Sequence, residues 1–82
     1  MDYPTGTPKT LTELFDQVAA RGGEVLSEGD RMWTVSLPRR FRDVEGNVSV
    51  RQVNICQVGY YVRDGRARVS KGVHKIREAM AV

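Results

Sequence analysis

The dipeptide Asp64-Gly65 constrains the fold of this chain more than any other feature. It lies between the alternating run Cys56-Gln-Val58-Gly-Tyr60-Tyr-Val62 and the short segment Arg66–Val69. Two residues that tolerate positive φ between such runs specify a two-residue hairpin turn, and the turn fixes the register. Arg63 is expected opposite Arg66, Val62 opposite Ala67, Tyr61 opposite Arg68 and Tyr60 opposite Val69. Strand residues alternate between faces. The expected ribbon therefore holds Tyr60, Val62, Ala67 and Val69 inward and shows Tyr61, Arg63, Arg66 and Arg68 outward. Ser70 then stands as the N-cap of a closing helix, with Val69 as its hydrophobic staple. Val73, Ile76, Ala79 and Met80 form the apolar side of that helix, opposite Lys71, His74, Lys75 and Glu78.

Upstream, residues 1–9 carry Pro4, Gly6 and Pro8 without periodicity and read as a flexible N-terminal arm. A helix is expected from Thr10, with Thr10 and Glu13 at capping-box spacing. Leu11, Leu14, Phe15, Val18 and Ala19 make one apolar stripe, and Gly22-Gly23 closes the helix. A short strand is expected at Glu24–Ser27, then a clearer one at Arg31–Leu37, where Trp33, Val35 and Leu37 alternate with Met32, Thr34 and Ser36. Pro38 has no amide hydrogen to donate, so Arg39-Arg40-Phe41-Arg42 is expected as an irregular or edge segment. Asp43–Asn47 reverses the chain. Val48 and Val50 are out of phase with Val53 and Ile55, which predicts a bulge near Arg51-Gln52 or a break into two strands.

The outline is α+β: a small antiparallel sheet of 3–5 strands with an N-terminal and a C-terminal helix, in the order α-β-β-β-(β)-α. Residues 10–82 form a single domain, because a chain of 82 residues buries only about 60–65% of its unfolded surface and cannot support two cores. Both helices are expected on one face of the sheet, leaving the other open.

Charge is distributed unevenly. Residues 1–30 hold six acids and two bases, a balance of −4; residues 31–82 hold four acids and eleven bases, +7; the sum is the net +3. The segment Arg63–Arg77 alone holds six of the thirteen Lys and Arg residues. One cysteine, Cys56, allows no intrachain disulfide and suits a reducing compartment, so a cytoplasmic location is expected. No stretch approaches the roughly 20 apolar residues of a bilayer span, and no membrane role is expected.

Catalytic signatures are lacking. One cysteine and one histidine, about eighteen residues apart, do not make a zinc site. The glycines lack phosphate-loop spacing, and Glu13 and Asp16 suit the first turns of a helix. Cys56 and His74 are expected as scaffold, and no enzyme, cofactor or metal is expected. The basic surface carries the functional expectation. Arg63 across from Arg66, and Lys71 one turn before Lys75, are like-charge pairs that a partner anion would relieve, with Tyr61 on the same side to stack or pack. The candidate binding residues are Tyr61, Arg63, Arg66, Arg68, Lys71 and Lys75. The expected activity is a non-enzymatic contact with a nucleic acid or nucleoprotein. The alternative is a small inhibitor or adaptor of the phage or mobile-element kind, anti-CRISPR-like, docking on a host protein complex. Where Arg39, Arg40 and Arg42 lie relative to the cluster does not follow from the sequence.

The outline, with Ser70-Lys71-Gly72-Val73-His74-Lys75, is loosely similar to the double-stranded RNA-binding domain, whose last helix opens with a Ser-Lys-Lys phosphate clamp. The likeness covers about six residues plus topology. Gly72 stands where the second lysine is expected, and Ser27-Glu28-Gly29-Asp30 is shorter and more acidic than that family's minor-groove loop. The chain is not assigned to the family.

Overall fold

A computed structural model describes residues 3–81. Its elements are α1 (Lys9–Ala20), β1 (Glu24–Gly29), β2 (Met32–Arg42), β3 (Val48–Arg63), β4 (Arg66–Val69) and α2 (Gly72–Met80). The four strands form an antiparallel meander in the order β1-β2-β3-β4. The α+β outline with a helix at each end is therefore present, with four strands.

Leu11, Leu14, Phe15 and Val18 of α1, Trp33, Val35 and Leu37 of β2, Val58 of β3, and Val73, Ile76 and Met80 of α2 make one buried cluster. The buried apolar residues of the strands, Trp33, Val35, Leu37 and Val58, share one face of the sheet, so both helices cover that face. Phe15 is central: its ring lies 5.3 Å from that of Tyr3 and 5.2 Å from that of Trp33. The apolar stripe of α1 is as the periodicity predicts, except that Ala19 is exposed.

The start of α1 differs from the expected capping box. The helix begins at Lys9, with Pro8 as its N-cap and no side-chain cap bond. Glu13 instead lies 3.6 Å from the Lys9 ammonium, and Thr10 is already inside the first turn. The stretch read as an arm is held from Tyr3 onward: the Thr7 amide donates to the Pro4 carbonyl at 3.1 Å, and Tyr3 packs on the core. Residues 1 and 2 lie outside the described residues. The helix ends as expected, with Gly22 at φ +80° and the Gly23 amide donating back to the Val18 carbonyl.

β2 does not stop at Pro38. It pairs with β3 continuously from Met32↔Gly59 to Arg42↔Val48, and Pro38 turns its donorless nitrogen away from that ladder, as an edge position permits. The irregularity in β3 falls at Ile55, not near Arg51: Val35 pairs with Cys56 and Ser36 with Asn54, so Ile55 is the extra residue of a bulge. Val48 and Val50 need no phase correction, because they are exposed. Beyond Leu37 no helix covers the β2–β3 ladder, and it runs on as a two-stranded arm. The molecule accordingly measures 56 Å along its long axis with a radius of gyration of 14.6 Å, against about 12 Å for a compact chain of this length.

Gly23 marks the closest approach of α1 to the sheet. A Cβ there would stand 2.6 Å from both the Ser36 carbonyl and Val18 Cγ1. Gly23→Ala is expected to destabilise the fold by about 1–3 kcal/mol through overpacking, read as a fall in the chemical-denaturation midpoint. Gly29→Ala, with nothing within 4 Å, should stay within about 0.5 kcal/mol of the parent; equal effects would contradict this packing.

Burial and the neighbouring Asp16 carboxylate push the Tyr3 phenol above its ordinary value. A raised pKa in the folded state means that the contribution is complete below the unfolded value of about 10 and is lost as pH rises through the folded value. Stability should therefore drop above about pH 10 in the parent, and Tyr3→Phe should show a smaller alkaline drop in pH-dependent denaturation.

Candidate nucleic-acid interface

The β3–β4 hairpin has the register that the Asp64-Gly65 turn predicts: Tyr60↔Val69, Tyr61↔Arg68, Val62↔Ala67 and Arg63↔Arg66. Asp64 and Gly65 take φ of +53° and +73°, the two positive values that a type I′ turn requires. Tyr61, Arg63, Arg66 and Arg68 therefore share the sheet face opposite the helices. Tyr60 and Val69 pack on the core, with the Tyr60 ring 6.2 Å from Trp33 and the Arg31 guanidinium 5.7 Å above Tyr60. Val62, expected inward, is 51% exposed, and Ala67 is exposed too. The hairpin tip runs past the end of α2, so its inner face has nothing to pack against.

Ser70 is not the cap of α2. Its hydroxyl accepts from the Gly59 amide at 3.1 Å, while its own amide donates to the Gly59 carbonyl at 2.9 Å. Lys71 occupies the N-cap position without a side-chain cap bond. Ser70 thus closes the end of the β3–β4 ladder and leaves the first turn of α2 open. Gly72 sits so close to β3 that a Cβ would lie 2.5 Å from the Gln57 carbonyl and 3.0 Å from Val58 Cγ1. A lysine cannot occupy that position, which is the physical reason for the departure from a Ser-Lys-Lys clamp. Lys71, His74, Lys75 and Glu78 line the exposed side of α2, as the helical projection predicts.

The predicted site residues are all exposed, Tyr61 at 55%, but they do not form one face: Tyr61, Arg63, Arg66 and Arg68 lie on the open sheet face, whereas Lys71 and Lys75 lie on the outer side of α2, which covers the opposite face. Among the described residues the one ion pair joins Lys9 and Glu13, so none of these cations is paired with a described acid. Arg63 faces Arg66 directly across the ladder, an arrangement that costs stability in isolation.

Arg39, Arg40 and Arg42 lie at the other end of β3. Arg39 donates to the Ala79 carbonyl at 3.2 Å and so belongs to the anchoring of α2, and its cross-strand neighbour Arg51 rests 5.5 Å above the Phe41 ring. Arg40 and Arg42 are exposed, opposite Val50 and Val48. By alternation they share the sheet face of Tyr61 and Arg68. Recognising that β2 runs through Pro38 would have placed them from sequence, since positions 40 and 42 keep the phase of 32, 34 and 36.

Cys56 is half-buried, and its thiol donates to the Gly72 carbonyl at 3.3 Å. Burial pushes the thiol pKa up, offset in part by the Lys75 ammonium. His74 is exposed on the far side of α2. No group of three or more metal-binding side chains occurs among the described residues, and no helix among them is long and apolar enough to cross a membrane. No family model, curated protein or solved structure matches this chain.

The raised thiol pKa, read with its hydrogen bond, leads to a direct expectation. At pH 8 Cys56 should react with a disulfide reagent several-fold more slowly than a free cysteine and should reach the free rate on unfolding. Reaction at the free rate in the folded protein would contradict the packing of α2 on β3.

Proposed function

We propose that the chain is a non-enzymatic module that binds nucleic acid, alone or in a nucleoprotein, through phosphate contacts from the β3–β4 hairpin and the first turns of α2. The observation that carries the reading is the cation cluster itself. Three exposed arginines share the open face of the hairpin, one opposed pair is built into a ladder register, two exposed lysines flank them on α2 behind the sheet, and no acid among the described residues pairs with any of the five. A phosphate backbone supplies a dense row of anions that such a cluster can neutralise. Tyr61 offers a π-face for a base or an arginine plane. Phosphate contacts position a protein without reading sequence, so no sequence preference is assigned. The lone unpaired thiol fits work in the cytoplasm.

A second reading has its own observation. The face opposite the helices exposes Leu26 at 63%, Met32 at 47% and Tyr61 at 55%, with a shallow hollow of about 400 Å³ beside Met32, Gln57 and Tyr61. Apolar groups rimmed by charge also suit a protein partner, the arrangement that an inhibitor docking on a host complex would use.

Salt dependence separates the two. Binding to a generic duplex should weaken with salt at a log–log slope of about 0.9 per phosphate contacted, and Arg66→Ala with Arg68→Ala should flatten that slope by about two. Absent or salt-independent binding overturns the reading. A stoichiometric complex with a host protein, formed without nucleic acid and slowed mainly in association by the same substitutions, favours the second.

A further inference from the structure

We propose that the β2–β3 arm is a second DNA-contact element, and that the chain straddles one turn of a DNA duplex between Arg40/Arg42 at one end of β3 and Arg63/Arg66/Arg68 at the other. The inference rests on the nucleic-acid reading above and adds its geometry.

Three observations support it. The first is position. Val50, the partner of Arg40, and Tyr61, the partner of Arg68, are eleven residues apart on one strand. The bulge at Ile55 absorbs one, and ten extended residues span about 33 Å. That matches the roughly 34–36 Å of one B-DNA turn. Both clusters lie on the same alternation face, so a duplex that follows the right-handed twist of β3 meets both about one turn apart.

The second is charge. The acids of this end of the sheet, Glu24, Glu28 and Asp30, lie on β1 and its turn, and Glu28 accepts from the Thr34 hydroxyl at 2.8 Å. The line along β3 between the clusters is neutral, through Gln57, Asn54 and Gln52 on the open face. A polyanion is thus repelled from the β1 side and held along β3. At the arm tip Asp43 accepts from the amides of Glu45 and Asn47, each 2.9 Å away, and among the described residues neither Asp43 nor Glu45 forms an ion pair with Arg40 or Arg42.

The third is shape. The arm is a bare two-stranded ribbon, and it exposes Val44 fully at its tip, with Val48 at 54% and Val50 at 64% beside the arginines. The B-DNA major groove admits a two-stranded ribbon and offers thymine methyls to apolar side chains, whereas the A-form RNA major groove is too deep and narrow. DNA is therefore the assigned duplex.

The test uses the full chain, an 8-bp GC-rich DNA duplex, a 20-bp DNA duplex and a 20-bp RNA duplex, with binding measured across salt. Parent protein should show a log–log slope steeper by about two on 20-bp than on 8-bp DNA. The double variant Arg40→Ala with Arg42→Ala, which breaks no internal bond of the fold, should show the 8-bp slope on both. If parent and variant slopes agree on 20-bp DNA while Arg66→Ala with Arg68→Ala still flattens them, the arm inference falls and the hairpin reading stands. If no duplex binds with salt dependence, both fall. An equal arm-dependent slope on the RNA duplex overturns the assignment to DNA.

Discussion

The architecture depends on one extra residue in β3. Val58 is in the core beside Trp33 and Val53 pairs with the buried Leu37 on the same face, yet five positions separate them, and an odd separation puts two residues of a regular strand on opposite faces. Ile55 absorbs the mismatch as a bulge. A single strand of sixteen residues thereby keeps one face in the core across the helix-covered region and carries straight on at both ends into ribbons without cover. A break there would have given two short strands and a compact domain. The bulge gives a rod with a core in its middle third.

The core itself is held by a helix that contributes few residues. α2 is only nine residues long, too short to be stable alone, and four contacts outside its apolar stripe fix it. Gly72 lets its first turn lie against the Gln57 carbonyl, and Cys56 donates to the carbonyl of that same glycine. At the other end Arg21 donates to the Met80 carbonyl at 2.8 Å and Arg39 to that of Ala79. Cations on the last carbonyls of a helix satisfy orphan acceptors and complement the negative end of its dipole. Two of the thirteen bases are therefore structural, one from α1's C-cap and one from the root of the arm.

Local chemistry made some of this legible in the sequence and concealed the rest. The Asp64-Gly65 turn, the α1 stripe and the period-2 run of Trp33, Val35 and Leu37 are signals confined to a few residues, and each has its predicted form. Ser70 and Thr10 were misleading for a shared reason: a hydroxyl before a helical pattern is equally suited to bond a neighbouring strand or to sit in the first turn, and only the tertiary position of Gly59 or Pro8 decides. The arm was concealed by the habit of reading valines as buried. Val48 and Val50 alternate regularly with Val53, and a bulge near Arg51 is required only if all four β-branched residues face the core. For the interface, register placed Tyr61, Arg63, Arg66 and Arg68 together, whereas the position of Arg40 and Arg42 needed the full length of β2.

Edge protection offers a rival account of the arm arginines, because exposed strand edges invite pairing with other chains and charges or proline discourage it. It accounts well for Pro38 on β2. It does not account for the distribution of charge across the two strands. β4 pairs with β3 only over Tyr60–Arg63, so the outer edge of β3 from Val48 to Asn54 has no strand partner among the described residues, and that segment carries a single charge, Arg51, which lies against Phe41. A chain selected only against edge pairing would guard the longer, more apolar edge first. Arg40 and Arg42 lie on the face of the arm, in phase with Arg63 and Arg68, an arrangement that would serve the proposed contact across that face rather than protection along its edge. The like-charge pairing of Arg63 with Arg66, which edge protection does not require, has the same rationale.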